Sequence, residues 1–445
     1  MINLKENLRK HVNILCNEIG PRPYWGTNIK KASEYIKSVL SSYPCEIIEE
    51  EISLPYMKTH ECSLKVTFPV KEDIPCLPWA GFFPYFPASQ EGKGEKIDLI
   101  AFASRKDPSI YAGKALLLNI KPDSAVGWDI LGIEKYSPSV IILADTMAED
   151  FNHLKYGSSS LLIDILVMPL FKNYIPKILI SRKEGDYLKT LLAKEERVFI
   201  DYSCFTSEEI TKTINIEARL SEKTDILLWS HYDTAWECPL CPGANDNTSS
   251  VSVALELISF LQQSELFKRL RVCFAGAEEC SSFSGLAYFI DTEDFMKDSL
   301  SRMAIMLMAM RVHQRIIPVV KPLINSKYFQ KLIKYKRIKD VKACLELECL
   351  GWGKAFYLLT PQKSLFAKYY REIRAKTPRP LILVPQSLGL ETHWLNLYRD
   401  ASSGVLSGEQ QGYPFHTIQD VSSEIDLNMM EEAIFLIKEL LVKIL

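Results

Sequence analysis

A chain of 445 residues is longer than the roughly 250–300 residues at which one hydrophobic core stops growing, so more than one compact unit is expected. With 47% hydrophobic and 24% charged residues it has the composition of a folded globular protein, which excludes an intrinsically disordered chain. Its 53 Lys and Arg against 55 Asp and Glu leave a net charge of -2, giving no electrostatic basis for a nucleic-acid or membrane partner.

Two helical patterns fill the first 40 residues. Leu4, Leu8, Val12 and Leu15 share one face, and Ala32, Ile36 and Leu40 share another, with Ile19-Gly20-Pro21-Arg22-Pro23 breaking between them. This polar, amphipathic start lacks the apolar block of a secretory signal, and the 11 cysteines are odd in number and scattered, so a reducing cytoplasm is expected. Residues 46–54 read as a strand. Residues 55–90, rich in Pro and aromatic residues, read as poor material for regular elements, and a domain boundary is placed there.

Short apolar runs at 97–102, 115–120, 140–144, 178–180 and 198–202 predict a β-rich unit over 56–209, inserted into a main domain made of 1–55 and 210–445. In the main domain a returning strand at 210–220 is followed by strands at 225–230, 270–275, 344–349 and 381–384. Helices are read at 248–262 and 427–441. This alternation predicts an α/β fold, a mostly parallel twisted sheet with helices on both faces. The longest apolar run, 303–310, is far short of the ~20 residues that span a bilayer.

In such sheets ligands bind beyond the carboxyl ends of strands, so polar residues following apolar runs carry the functional signal. Leu227-Leu228-Trp229-Ser230 runs into His231-Tyr232-Asp233, and Val272-Cys273-Phe274-Ala275 runs through Gly276-Ala277 into Glu278-Glu279. Gly243-Ala244-Asn245-Asp246-Asn247 precedes a helix. Imidazole and carboxylate are the ligands of open zinc sites, and a carboxylate can bridge two ions. An Asp two positions after a ligand His can accept its second ring N–H, the role read for Asp233. Adjacent Glu residues do not readily turn onto one ion, which leaves one to take a proton from metal-bound water.

These blocks, together with Phe415-His416-Thr417-Ile418-Gln419-Asp420, resemble the co-catalytic di-zinc exopeptidases, a family that includes bacterial leucyl aminopeptidases, aminopeptidase Y and glutamate carboxypeptidase. The resemblance covers the N-terminal helices and about residues 210–445, and the insert sits where many members carry a protease-associated domain. It implies two zinc ions, with His231, Asp246, Glu279 and His416 as ligands, Asp246 bridging, Glu278 as general base and Asp233 as the orienting carboxylate. The family's fifth ligand is an Asp at a strand end. Leu345-Glu346-Leu347-Glu348-Cys349-Leu350-Gly351 places Glu348 there, whereas a rival alignment through Ile305-Met306-Leu307-Met308 would place Met308. Glu348 is preferred because glycines follow it. Residues 297–340 then form an insertion, read as a lid or a homo-oligomer contact.

The expected activity is removal of N-terminal residues from a peptide substrate through a zinc-bridging water activated by Glu278. Carboxypeptidase action, a glutaminyl-cyclase-like single-zinc enzyme and a non-catalytic binding descendant are the alternatives. Cys238-Pro239-Leu240-Cys241 has the spacing of a half metal site but no second pair, and reads as a loop. His393 reads equally as substrate-facing or structural.

Overall fold

The structure, a computed structural model, describes residues 3–80, 89–102, 110–120, 133–155, 175–221, 224–280, 283–289, 341–385 and 402–444. In chain order it begins with α1 (Leu4–Val12), which continues as a π-helical turn (Asn13–Ile19), and α2 (Thr27–Leu40). Strands β1 (Glu46–Phe68), β2 (Glu72–Asp73), β3 (Leu77–Pro78), β4 (Gln90–Ala101), β5 (Ala115–Ile120), β6 (Val140–Asp145) and β7 (Lys177–Ser181) follow, then α3 (Arg182–Lys194) and β8 (Phe199–Arg219). Next come β9 (Ile226–His231), α4 (Ser250–Leu261), β10 (Leu270–Ala275) and α5 (Phe283–Phe289). The chain closes with β11 (Ala343–Glu348), β12 (Phe356–Leu359), α6 (Leu365–Arg374), β13 (Leu381–Val384), β14 (Ser402–Ser407) and α7 (Leu427–Ile444).

The chain divides into two compact units, one of Met1–Ser53, Lys212–Ala235 and Leu240–Leu445, the other of Leu54–Thr211 and Trp236–Pro239. In the first, strand order runs β13-β12-β14-β11-β9-β10 and ends on the last part of β8. Strands β14, β11, β9 and β10 are parallel, whereas β12 and β8 run antiparallel to their neighbours β14 and β10. Every residue of β9, β10 and β11 is buried, as expected of parallel strands covered on both faces. Along β9, Ile226 and Leu228 join the core shared with α1, α4 and α7, while Trp229 points the other way and meets Tyr288 of α5 edge to face at 5.2 Å. Each fully buried Leu or Ile of this core contributes about 1.5–3 kcal/mol.

Helix α4 is buried on almost every side, from Ser250 to Ile258, and packs against α1 and α7. The one-faced pattern read at 248–262 is therefore incomplete, because Val253 and Leu257 are buried as well. A helix buried on nearly every side belongs in an interior, and α1 and α7 supply part of the cover, with His11 of α1 facing the buried Glu256 at 3.0 Å.

In the second unit β4, β5, β6 and β7 form parallel pairs, β3 lies antiparallel to β7, and β8 lies antiparallel to β4. Successive residues of β5 and β6 alternate between two apolar clusters, Leu117 and Ile142 in one, Leu116 and Ile141 in the other. Two expectations are corrected. Residues 55–68 are not irregular, since β1 continues to Phe68, where buried Leu64 and Val66 alternate with more exposed residues. The runs at 198–202 and 210–220 belong to one strand, β8, whose polar middle, Ser207 to Glu209, obscures its continuity.

Candidate metal centre

Parallel register sets the site. Ala275 of β10 pairs with His231 of β9, and Glu346 of β11 pairs with Trp229, so His231, Glu348 and the Glu278-Glu279 segment leave the sheet at one end. Asp246 comes from the turn between β9 and α4, where the Asp246–Asn247 peptide bond is cis. That turn needs Gly243, which has φ 65°, and a Cβ there would lie 2.3 Å from Thr234 Cγ2 and 2.5 Å from the Asp246 carbonyl. His416 comes from the segment between β14 and α7, its ring stacked on Phe415 at 3.8 Å.

All seven residues singled out in the sequence lie together. His231 Nε2 is 3.2 Å from Asp246 Oδ1, 3.4 Å from Glu348 Oε2 and 3.9 Å from Glu278 Oε2. His416 Nε2 is 3.0 Å from Asp246 Oδ2 and 3.2 Å from Glu279 Oε2. Asp246 thus offers one oxygen to each imidazole. On its other nitrogen His231 faces the Asp233 backbone carbonyl at 3.2 Å and Asp233 Oδ1 at 3.4 Å, which leaves Nε2 for the centre. The Asp233 carboxylate also accepts the backbone N–H groups of Glu278 and Glu279, both at 3.1 Å. Met308, His393 and the segment 297–340 lie outside the described residues. Cys238 and Cys241 are buried thiols.

Negative charge is concentrated here out of water. Burial, opposed by His416 and reinforced by Asp246, pushes the Glu279 carboxyl up to about 8. Burial, opposed by His231 and reinforced by Glu346 and Asp246, pushes Glu348 up to about 7. Burial disfavours a charged His231, yet Glu348, Asp233 and Asp246 raise its pKa well above the ordinary value. Burial also works against an ionised Asp246, but hydrogen bonds from His231 and His416 hold it below the usual carboxylate range.

The residues fit a divalent metal. Glu279 Oε1 and Glu348 Oε1 are buried and accept no hydrogen bond, which is costly for a carboxylate oxygen unless a cation faces it. Imidazole nitrogens and carboxylate oxygens are the donors of open zinc sites, and His231, Asp246 and Glu279 each present a ligand atom within 4.8 Å of the others.

Several supporting residues escaped the sequence reading. Asp420 accepts the backbone N–H of Asn245 at 2.7 Å and of Asp246 at 3.1 Å, and Tyr413 donates its hydroxyl to the same carboxylate. Asn247 accepts the Cys349 N–H at 3.0 Å and donates to the Leu347 carbonyl at 2.9 Å, bracketing Glu348. Arg22, fully buried, donates to the carbonyls of Leu15, Gly20, Tyr232 and Pro242 at 2.8–3.0 Å and to Thr248 Oγ1 at 2.8 Å. Asp420 and Arg22 lie in the 415–420 and 19–23 segments, but only tertiary structure reveals what they hold.

Residues 213–441 match the family model described as Peptidase family M28. The aminopeptidase YwaD of Bacillus subtilis (strain 168) is 29% identical over 119 residues, 26% of this chain and 24% of that protein, so the matched stretch spans about a quarter of the curated relative. A zinc aminopeptidase from Bacillus subtilis shares the fold with a TM-score of 0.66 at 18% identity, over 98% of this chain and 94% of its own. An M28 peptidase precursor from Shewanella amazonensis SB2B gives 0.63 at 14% identity, over 99% and 95%. The ordered blocks from His231 to Asp420 fall within the matched residues, and the chain belongs to Peptidase family M28.

Proposed function

We propose that this protein is a zinc-dependent exopeptidase that removes single residues from the N-termini of peptides. The observation that carries the reading is Asp246, with one carboxylate oxygen 3.2 Å from His231 Nε2 and the other 3.0 Å from His416 Nε2, Glu348 beside the first imidazole and Glu279 beside the second. On this reading His231, Asp246 and Glu348 hold one ion, and His416, Asp246 and Glu279 hold the other. When bound, the zinc pair supplies Lewis acidity at the scissile carbonyl and makes water a better nucleophile at neutral pH.

The chain's own groups supply the rest. The Glu278 carboxylate takes a proton from the attacking water and returns it to the nitrogen of the leaving amine. Asp233 fixes the His231 ring and, through two backbone N–H groups, the segment that carries Glu278 and Glu279, so base and ligands share one anchor. Action at the amino terminus is supported by the similar proteins, YwaD and the Bacillus subtilis zinc enzyme, both named as aminopeptidases.

Residues 56–209 are read as an inserted protease-associated-like domain, a reading supported by the compact unit that takes in Leu54–Thr211, from the later part of β1 to the first part of β8. A cytoplasmic setting is supported by the odd, scattered cysteines, and no helix among the described residues is long and apolar enough to cross a membrane. The test is metal content per chain, with hydrolysis of a panel of aminoacyl amides and N-blocked dipeptides. Two zincs with chelator-sensitive release from free-amine substrates is expected. Two zincs without hydrolysis of any free-amine substrate would overturn the aminopeptidase reading in favour of a carboxypeptidase or a binding protein.

A further inference from the structure

We propose that Cys349 is a sulfur ligand to the metal ion held by His231, Asp246 and Glu348, so that the two ions of the centre differ in kind. The inference rests on the two-zinc reading above. It adds a donor to a set otherwise made only of nitrogen and oxygen.

In a regular strand neighbouring side chains point to opposite faces, so a residue next to a strand-end ligand ordinarily turns away from it. Cys349 does not. Its Sγ and one carboxylate oxygen each of Asp246 and Glu348 lie within 4.8 Å of one another, and all three residues are buried. The cause is local. Cys349 has φ 51°, in the left-handed region that residues other than glycine seldom adopt, and this bends the chain directly after β11. Two side chains from the Asp246 turn hold the bend, Asn247 accepting the Cys349 N–H at 3.0 Å and Asn245 accepting the Gly351 N–H at 2.8 Å. An unfavourable backbone state maintained by its surroundings is characteristic of functional sites.

A second observation points to a cation at the same place. Glu348 Oε1 is buried and accepts no hydrogen bond, although Oε2 of the same carboxylate faces His231 at 3.4 Å. Gln410 Nε2 donates to the Cys349 sulfur at 3.8 Å, a weak contact.

Cys349 would add one sulfur to the oxygens of Asp246 and Glu348, beside which His231 Nε2 lies at 3.2 and 3.4 Å. As the ion binds, the S–H bond breaks, the proton passes to solvent and the sulfur–metal bond forms, with no change of oxidation state. The soft sulfur favours zinc or cadmium over magnesium or manganese at this position. The donors on the partner side, His416, Asp246 and Glu279, offer nitrogen and oxygen only.

Cobalt(II) loaded onto the metal-stripped full chain tests this, since cobalt bound by a thiolate shows a sulfur-to-metal charge-transfer band in the near ultraviolet. Wild type should bind two cobalt ions and show the band. Cys349→Ser should lose the band and bind its tighter cobalt at least about tenfold more weakly. X-ray absorption of the zinc-loaded wild type needs no variant, and should show sulfur at about 2.3 Å in a ratio of one sulfur to two zincs. Two bound cobalts without the band, a band that persists in Cys349→Ser, or a zinc spectrum without sulfur would each overturn the proposal while leaving the two-metal reading standing. Failure to bind two metals at all would overturn both.

Discussion

Asp233 and Asp420 do the same job for two different ligand segments, each a buried carboxylate that accepts two consecutive backbone N–H groups, Asp233 from Glu278 and Glu279 and Asp420 from Asn245 and Asp246. A carboxylate has acceptor sites enough to do this and still orient a neighbour. Both therefore set ligand positions through the main chain.

Asp420→Asn leaves one of those N–H groups facing an amide NH2. The expected result is a loss of about 1–3 kcal/mol of stability, the cost of a buried group left without a partner, seen as a lower urea midpoint at unchanged slope. Zinc affinity should fall about 10–100-fold, the usual penalty for removing a group that positions a metal ligand. Unchanged affinity would remove Asp420 from the support of Asp246.

Glu278→Gln is close to isosteric and cannot take a proton. It should retain both zincs and lose about 10²–10⁴-fold in kcat. Near-native turnover in that variant would dismiss Glu278 as the base.

Glu348→Ala should purify with close to one zinc per chain and little activity, because the ion beside His231 loses a hard anionic donor. Full occupancy in that variant would return attention to Met308 as the strand-end position.

The pH dependence of the metal-free protein has a definite sign. Glu279, pushed up to about 8, and Glu348, pushed up to about 7, keep protons that the unfolded chain gives up near the ordinary glutamate value of 4.5. Between those limits the native state binds more protons, so these groups make stability fall as pH rises toward about 8. His231, raised well above 6.5, acts in the same direction, its contribution present at low pH and lost as pH climbs through the folded value. Zinc must displace these protons. Calorimetric titrations in two buffers of different ionisation enthalpy should show net proton release below about pH 7, declining above about pH 8. Zinc uptake without proton release below pH 7 would contradict the raised values.

The strand ends were legible because β9, β10 and β11 are mostly apolar runs, each interrupted once by Ser230, Arg271 or Glu346, that stop at His231, Gly276 and Glu348. The far half of β1 was not, since Pro55 reads as a break and Lys58, His60 and Glu61 hide the alternation that Leu64 and Val66 resume. Nor could spacing show that Asp420 holds Asp246 or that Asn247 holds Cys349, because those bonds join residues about 100 to 175 positions apart. Short-range pattern reports on the face a residue occupies. It does not report on the partner that closes around it.

Arg22 has a consequence for the order of assembly. Its guanidinium fastens Leu15 and Gly20 to the Tyr232 carbonyl, 210 residues away, and to Thr248, 226 residues away. The turn that carries Asp246 therefore reaches its final geometry only after the start of the chain has returned to it. Contacts of such high sequence separation form late and slowly, since the loop between them is closed before they contribute anything. A nascent chain released before residue 248 would have α1 and α2 without the segment that Arg22 binds, a state in which apolar surface meant for α4 and α7 is open to aggregation.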